Sequence, residues 1–304
     1  MIGTVGDLVE DVVVRLGGPI NVASDTHAVV VRRRGGSAAN FACGVVRAGG
    51  RARFLGQVGD DPQGAHLLDA LAAEGVEAMV RRQGRTGTIV VLVDTTGERT
   101  MLSDRGAAAD LSDPDPSWLD GLDTLHVPLY SLIGGALAST STTLIGWAHE
   151  RGIRVSIDAS SAGVIAEHGR CASRMLLTSL RPDVLLCNEL EAATLGGPGA
   201  LAAIGAGLTV VKQGAEACLV TDPAAGGEPV AVPALHVEGV RDTTGAGDAF
   251  AAGLLVALAD GLAPVAAVRR GHEVAAAAIR RVSADADADA DAHADPGGDP
   301  VGTS

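Results

Sequence analysis

Asp242-Thr243-Thr244-Gly245-Ala246-Gly247-Asp248-Ala249-Phe250-Ala251-Ala252-Gly253 is a glycine-rich turn that runs straight into an apolar segment, Phe250 to Ala259. Gly245, Ala246 and Gly247 carry almost no side chain, so backbone N–H groups at the start of the expected helix Gly247–Asp260 are open to a ligand. A helix start of this kind, with unpaired N–H groups and the positive end of the dipole, is an anion site. Asp248 falls within the first turn. A carboxylate beside an anion cradle suits the removal of a proton from a hydroxyl while a phosphoryl group is transferred to it. Taken alone, the stretch also reads as an ordinary helix start, because the dipole favours an acid there and short glycine motifs are weak signals.

Outward from this turn, short β-branched runs alternate with alanine-rich helical stretches. That rhythm predicts βαβ units and a largely parallel sheet, an α/β fold. Strands are expected at Ile2–Gly6, Arg53–Val58, Thr124–Val127, Arg154–Asp158, Asp183–Cys187, Leu208–Lys212 and Ala217–Thr221. Helices are expected at Ala38–Ala48, Gln63–Glu74, Ala136–Arg151, Glu189–Leu195, Gly247–Asp260 and Pro264–Arg281. Two strand pairs break the rhythm: Asp11–Leu16 with His27–Arg32, and Thr88–Asp94 with Arg99–Leu102, the second turning at Thr95-Thr96-Gly97-Glu98. They predict a small separate sheet, spanning residues 11–34 and 87–104, that acts as a lid.

The chain of 304 residues is 47% hydrophobic, enough for a large α/β core, but only 2% aromatic. So few aromatics argue against stacking platforms for single-stranded nucleic acid. The net charge is −14, and the segment Ala284–Ser304, with six Asp and no Lys or Arg, accounts for −6 of it. The acidic remainder argues against nucleic-acid or anionic-membrane partners. Arg32-Arg33-Arg34 is the local exception and reads as a solvated strand end. One folded body is expected over 1–283, and the Asp-Ala repeat of 284–304 reads as a disordered acidic tail. Cys43, Cys171, Cys187 and Cys218 show no Cys-x-x-Cys spacing and read as buried free thiols. No signal-peptide pattern is seen, and no apolar run is long enough to span a bilayer, so a cytoplasmic protein is expected. Lys212 is the one lysine among 23 basic residues of the Lys/Arg type.

A second glycine-rich element, Gly35-Gly36-Ser37-Ala38-Ala39-Asn40, opens a helix, and Gly56-Gln57-Val58-Gly59-Asp60-Asp61 follows a strand. Small residues at 35–39 let a ligand approach the backbone, and Asn40 offers both a donor and an acceptor. Asp11 follows the first strand, where it can accept from a polyol. Read singly, Asn40 is equally a helix-turn residue and Asp11 a turn acid. Together, Gly35-Gly36, Asn40, Ala42, Gly49 and Gly59, followed some 200 residues later by 242–255, resemble the two signatures of the ribokinase-like (PfkB) carbohydrate kinases.

The resemblance implies a three-layer α/β/α fold with a mostly parallel central sheet and a small β-sheet lid. It implies Asp248 as catalytic base and Gly245, Ala246 and Gly247 as the anion hole. Asp11, Gly35, Gly36 and Asn40 match positions that bind the sugar, and Arg105, after the last lid strand, is a candidate for a substrate carboxylate or phosphate or for a lid-edge salt bridge. Asn188 and Glu191 resemble an Asn-x-x-Glu motif that organises Mg²⁺ and its waters around ATP. Lys212 and Gly214 resemble a segment lining the ATP site, and His272 a residue beside the adenine. Asp242 and Thr244 resemble a monovalent-cation loop, which makes K⁺ a candidate cofactor. Pairing of lid strands between subunits makes a homodimer a candidate assembly. Ser37 departs from the pattern of ribokinases proper, which carry Lys there, and the Asp-Ala repeat replaces the Gly-Ala that closes their nucleotide pocket. The expected activity is ATP-dependent phosphorylation of a sugar hydroxyl. The alternatives are a nucleoside kinase on the same scaffold and a non-catalytic sugar or nucleotide sensor. A dinucleotide oxidoreductase is disfavoured, because Gly6-Asp7-Leu8-Val9-Glu10-Asp11 follows the first strand in place of Gly-x-Gly-x-x-Gly.

Overall fold

The chain order of the main sheet reverses once, and that reversal places the site. In the computed structural model, which describes residues 1–240 and 242–291, nine strands run in the order β13 (Val230–Pro233), β12 (Ala217–Thr221), β11 (Leu208–Lys212), β10 (Val184–Asn188), β9 (Arg154–Asp158), β8 (Thr124–Pro128), β1 (Ile2–Val5), β4 (Ala52–Val58) and β5 (Glu77–Arg82). Every pairing from β11 to β5 is parallel, while β12 and β13 are added antiparallel at one end. From β1 the chain builds outward to β4 and β5 on one side and from β8 to β13 on the other. Ligands of open parallel sheets bind beyond the carboxyl ends of the strands at such a switch point.

The strands are apolar on both faces because helices cover both. Phe54 and Leu55 of β4 show the division. Phe54 packs with Phe41, Leu67 and Phe250, which lie on α1 (Ser37–Arg47), α2 (Pro62–Ala73) and α8 (Ala246–Ala259), and α9 (Pro264–Asp291) joins this layer through Ala267 and Val268. Leu55 belongs to the core of the opposite face, which also holds Leu144, Ile165, Leu177, Leu195 and Leu201. These belong to α3 (Gly135–Glu150), α4 (Ala162–His168), α5 (Arg170–Leu180), α6 (Glu189–Leu195) and α7 (Pro198–Ile204). The result is the expected three-layer arrangement.

The separate sheet also forms as expected, in the order β3 (Ala28–Gly35), β2 (Val9–Leu16), β6 (Thr86–Val93), β7 (Arg99–Gly106). Two antiparallel hairpins are joined by the parallel β2–β6 pair. Asp94 closes the second hairpin by accepting from the Thr96 amide (2.8 Å), the Thr96 hydroxyl (2.6 Å) and the Glu98 amide (3.0 Å).

Some elements differ from the sequence reading. β5, β13, α4, α5 and α7 are additional. β13 is a four-residue edge strand with three exposed residues, so its sequence carries no alternation to read. α9 continues through Asp291, into the Asp-Ala stretch, since alanine is the strongest helix former; the rest of that stretch lies outside the described residues. Cys43, Cys187 and Cys218 are buried free thiols, but Cys171 is exposed, because α5 turns Ser173, Leu177 and Leu180 inward instead. Among the described residues no helix is long and apolar enough to cross a membrane.

α1 and α8, which carry the two glycine-rich signatures, touch through Gly44. A Cβ there would stand 2.9 Å from the Ala252 Cβ. Gly44→Val is expected to force the helices apart and to cost about 1–3 kcal/mol, the usual range for overpacking, read as a lower urea midpoint with an unchanged m-value.

Candidate active site

The strand ends around the switch point carry the polar residues of the site. Asp158 ends β9, Asn188 ends β10 and Lys212 ends β11. α8 begins opposite them, with Gly245 as its N-cap in the left-handed region (φ 73°) and no side chain capping its first turn. The Ala246 amide turns back to Thr243 O (3.1 Å). The amides of Gly247 and Asp248 have no intrahelical carbonyl within reach, as in any first helical turn, so these two form the heart of the cradle. Ala246 contributes by its small size.

Asp248 sits between the two signatures. The Ser37 hydroxyl donates to its Oδ1 at 2.6 Å, across 211 residues of sequence. Burial pushes the Asp248 pKa up to about 7, and Asp158 adds to the rise, while Ser37, Lys212 and the Asn40 side chain oppose it. A carboxyl group that changes protonation near neutrality is suited to general-base work.

The cleft in front of Asp248 has a volume of about 770 Å³ and is lined by Asp11, Gly36, Ser37, Asn40, Arg105 and Tyr130 among others. Asn40 Oδ1 accepts from Arg34 Nη1 at 3.0 Å. Asp11 projects from β2 into the cleft, and burial pushes its pKa up to about 6 against the pull of Arg34. Gly35 leaves the room for this: a Cβ at 35 would stand 2.0 Å from Asp11 Oδ1. Gly36 has φ 100°, and a Cβ there would stand 2.1 Å from Asp7 O. The crowding explains why two glycines precede Ser37. The same lid face roofs a continuous extension of about 1060 Å³, which shares Asp11, Asn40, Val91, Met101, Thr244 and Gly245 with the first cleft.

On the other side of Asp248, Lys212 Nζ donates to Asp158 Oδ2 at 2.6 Å, and both side chains are largely buried. A Cβ at Gly247 would stand 3.6 Å from Nζ, so the ammonium also borders the cradle. Burial works to lower the Lys212 pKa, but Asp158, Glu191 and Asp248 overcome it and hold the group above its usual value. Asn188 and Glu191 form a reciprocal capping box: the Asn188 amide donates to Glu191 Oε2 (2.8 Å), Asn188 Nδ2 to Oε1 (2.8 Å), and the Glu191 amide to Asn188 Oδ1 (2.9 Å). Burial, then Asp158, raise the Glu191 pKa. A hydrated cation nearby would relieve that cost, so the buried carboxylates at the strand ends fit Mg²⁺ held through water. Gly214, with φ 59°, forms the β11–β12 turn.

Other expected site residues are engaged differently. Arg105 makes a two-pronged ion pair with Asp7, Nε to Oδ2 at 2.7 Å and Nη2 to Oδ1 at 2.6 Å, and so braces the lid base while still lining the cleft. His272 is buried on α9, with Nε2 3.3 Å from Val232 O and its ring edge-on to Phe250; burial lowers its pKa. Its ring is therefore a packing element between α9 and β13. At Asp242 Oδ1 and Thr244 Oγ1, expected beside K⁺, a guanidinium stands instead: Arg99 of the lid bonds to both, and Asp242 Oδ1 also accepts from the Thr244 amide (2.7 Å) and hydroxyl (2.6 Å).

Asp7, Ser37, Arg99, Tyr130 and Asp158 are site residues that the sequence reading missed. Asp158 had a legible signal, an acid ending a buried strand, whereas the others are defined only by long-range partners.

The fold is shared with solved kinases. The structure superposes on the adenosine kinase from Sinorhizobium meliloti with a TM-score of 0.81 at 26% identity, covering 95% of this chain and 98% of that one. For the fructokinase from Vibrio cholerae O395 the TM-score is 0.73 at 27% identity, covering 92% and 98%. Fold and site together define a ribokinase-like phosphotransferase. Residues 4–291 match the pfkB family of carbohydrate kinases, and the chain belongs to that family. A fructokinase from Klebsiella pneumoniae is 34% identical over 256 residues, 79% of this chain and 81% of the relative. The protein is thus a sugar kinase, and kinases of this family use ATP.

Replacing Lys212 by Met leaves Asp158 buried without its cation. The expected cost is roughly 3–5 kcal/mol in urea denaturation, as for other broken buried pairs, and adding Asp158→Asn is expected to recover much of it.

Proposed function

We propose that the protein transfers the γ-phosphoryl group of ATP to a hydroxyl of a small sugar, with a free ketohexose such as fructose the first acceptor to test, and that Asp248 is the general base. The observation that carries this reading is the Asp248 carboxyl, pushed up to about 7, standing in the first turn of α8 beside its open amides and facing the lid-covered cleft. The fructokinase relatives suggest the acceptor.

Asp11 and Asn40 hold acceptor hydroxyls between the lid and α1. Ser37 fixes Asp248 Oδ1, which orients the remaining carboxylate lone pairs toward the acceptor. Asp248 takes the hydroxyl proton as the oxygen attacks phosphorus. The amides at 247 and 248, with the Lys212 ammonium next to Gly247, stabilise charge on the transferring group. Glu191, oriented by Asn188, would hold the waters of a Mg²⁺ that enters with the nucleotide and neutralises phosphate charge. Lys212 and Gly214 border the nucleotide half. The lid, braced by Arg105–Asp7, excludes water so that ATP is not simply hydrolysed. Val30 and Leu102 are more than half exposed on the lid, and a homodimer through this sheet is consistent with that. An adenosine-type acceptor is the second reading, prompted by the Sinorhizobium meliloti neighbour; among the described residues the aromatic rings that line the cleft are those of Tyr130 and His168.

ADP release over a panel of fructose, ribose, sugar phosphates, keto-deoxy sugar acids and adenosine tests the acceptor, and turnover on adenosine alone overturns the sugar assignment. Asp248→Asn is expected to keep sugar binding by calorimetry and to lower kcat by roughly 10²–10⁴, the span of a lost general base; near-native turnover sinks the role. Since the base must be ionised, kcat/KM is expected to fall about tenfold per pH unit below an acid limb at about 7. A limb near 4 would mean that the group titrating in catalysis is an unperturbed carboxylate.

A further inference from the structure

Arg99 is the first residue of β7, an edge strand of the lid, yet its guanidinium reaches across to the loop that leads into α8. Nη2 donates to Asp242 Oδ1 and Nη1 to Thr244 Oγ1. The Asp242 side chain is only 11% exposed and that of Arg99 27%, so this is a largely desolvated pair and not a screened surface contact. Asp242 Oδ1 is also the acceptor for the Thr244 amide and hydroxyl, which makes it the hub of the loop. Burial works to raise the Asp242 pKa, but Thr244 and Arg99 hold its carboxyl below the usual range. Directly after the hub, the Ala246 amide closes onto Thr243 O, Gly245 takes its left-handed turn, and the cradle begins. A side chain of the lid therefore fixes the backbone whose amides face the transferring group. The β6–β7 turn, ordered by Asp94, fixes the strand from which Arg99 reaches.

A buried carboxylate next to an anion site needs a positive partner, or it repels the charge that the site is built to receive. K⁺ at these oxygens would serve that need, but here the chain supplies a guanidinium. We propose that Arg99 is a positioning residue that locks loop 242–244, and with it the amide cradle at 245–248, when the lid is closed, and that its charge replaces a monovalent cation, making the kinase independent of K⁺. The proposal rests on the kinase reading of the site but not on the identity of the acceptor.

The test compares wild type, Arg99→Ala and Arg99→Lys in KCl and in tetramethylammonium chloride at equal ionic strength. The first readout, which needs no acceptor, is the melting temperature with Mg-ATP present. The second is kcat and KM with the acceptor found in the panel. Wild type is expected to show the same melting temperature and kcat in both salts. Arg99→Ala in tetramethylammonium is expected to lose roughly 10- to 100-fold in kcat, of the order seen when transition-state donors are misplaced, with acceptor KM changed far less. K⁺ is expected to restore several-fold of that loss and to raise the melting temperature of this variant alone. Arg99→Lys, which keeps the charge, is expected to stay indifferent to K⁺. A wild-type kcat that rises several-fold with K⁺ overturns the proposal. So does Arg99→Ala that is equally active to wild type without K⁺, or equally impaired in both salts. If Arg99→Ala does not fold, the wild-type and Arg99→Lys salt comparisons still decide. Failure of the kinase reading would appear separately, as no ADP release by wild type with any acceptor in either salt.

Discussion

The ion pair between Lys212 and Asp158 is the interaction on which the site depends. Three carboxylates, Asp158, Glu191 and Asp248, surround one ammonium and together hold it above its usual value, and Asp158 adds to the rise that burial gives Glu191 and Asp248. Without the ammonium, burying these acids together would favour their protonated forms and remove the negative charge gathered at the strand ends. With it, Asp158 is held by a charge-assisted bond, Glu191 is fixed by its capping box, and Asp248 remains the group poised near neutrality. The same ammonium borders the first turn of α8, so one charge both gathers the acids and faces the open amides of that helix.

Topology explains why these groups meet. Parallel strands end on the same side, and the reversal at β1 opens a crevice at that side. The lid hairpins leave the sheet from the ends of β1 and β5, so they fold over the crevice and not elsewhere. Backbone crowding at Gly35 and Gly36 lets β3 pass Asp11 and Asp7 closely enough to feed directly into α1. One wall of the cleft is thereby built from the lid sheet and the start of α1, and the other from the start of α8. Gly44 brings those two helices into contact.

Much of this was legible because it is local. Glycine turns and apolar periods declare themselves within a dozen residues, so the fold class and the helix bearing Asp248 were read, while β5, β13, α4, α5, α7 and the Asn188–Glu191 capping box were not. The pairings that define the chemistry join distant residues. Ser37 meets Asp248, Arg105 meets Asp7 and Arg99 meets Asp242 only after the lid and sheet are assembled. Arg99 looked like any hairpin residue, and Asp242 with Thr244 looked like a cation loop, because sequence shows the ligands of a charge without showing which cation arrives. His272 shows the converse: a histidine at a suggestive position is taken up by Val232 and Phe250.

Lys212 is the sole lysine of the chain, and it lies inside the site, paired and largely shielded. The positive charge of the outer surface is thus carried by guanidinium groups, apart from histidines and the amino terminus, which is paired with Asp123. Chemistry that targets side-chain amines, whether acylation, glycation or an isopeptide bond, finds no acceptor on the exterior of this protein. Any amine-directed reagent that does react with a side chain must do so at Lys212, so its rate reports how open the cleft around that ammonium is.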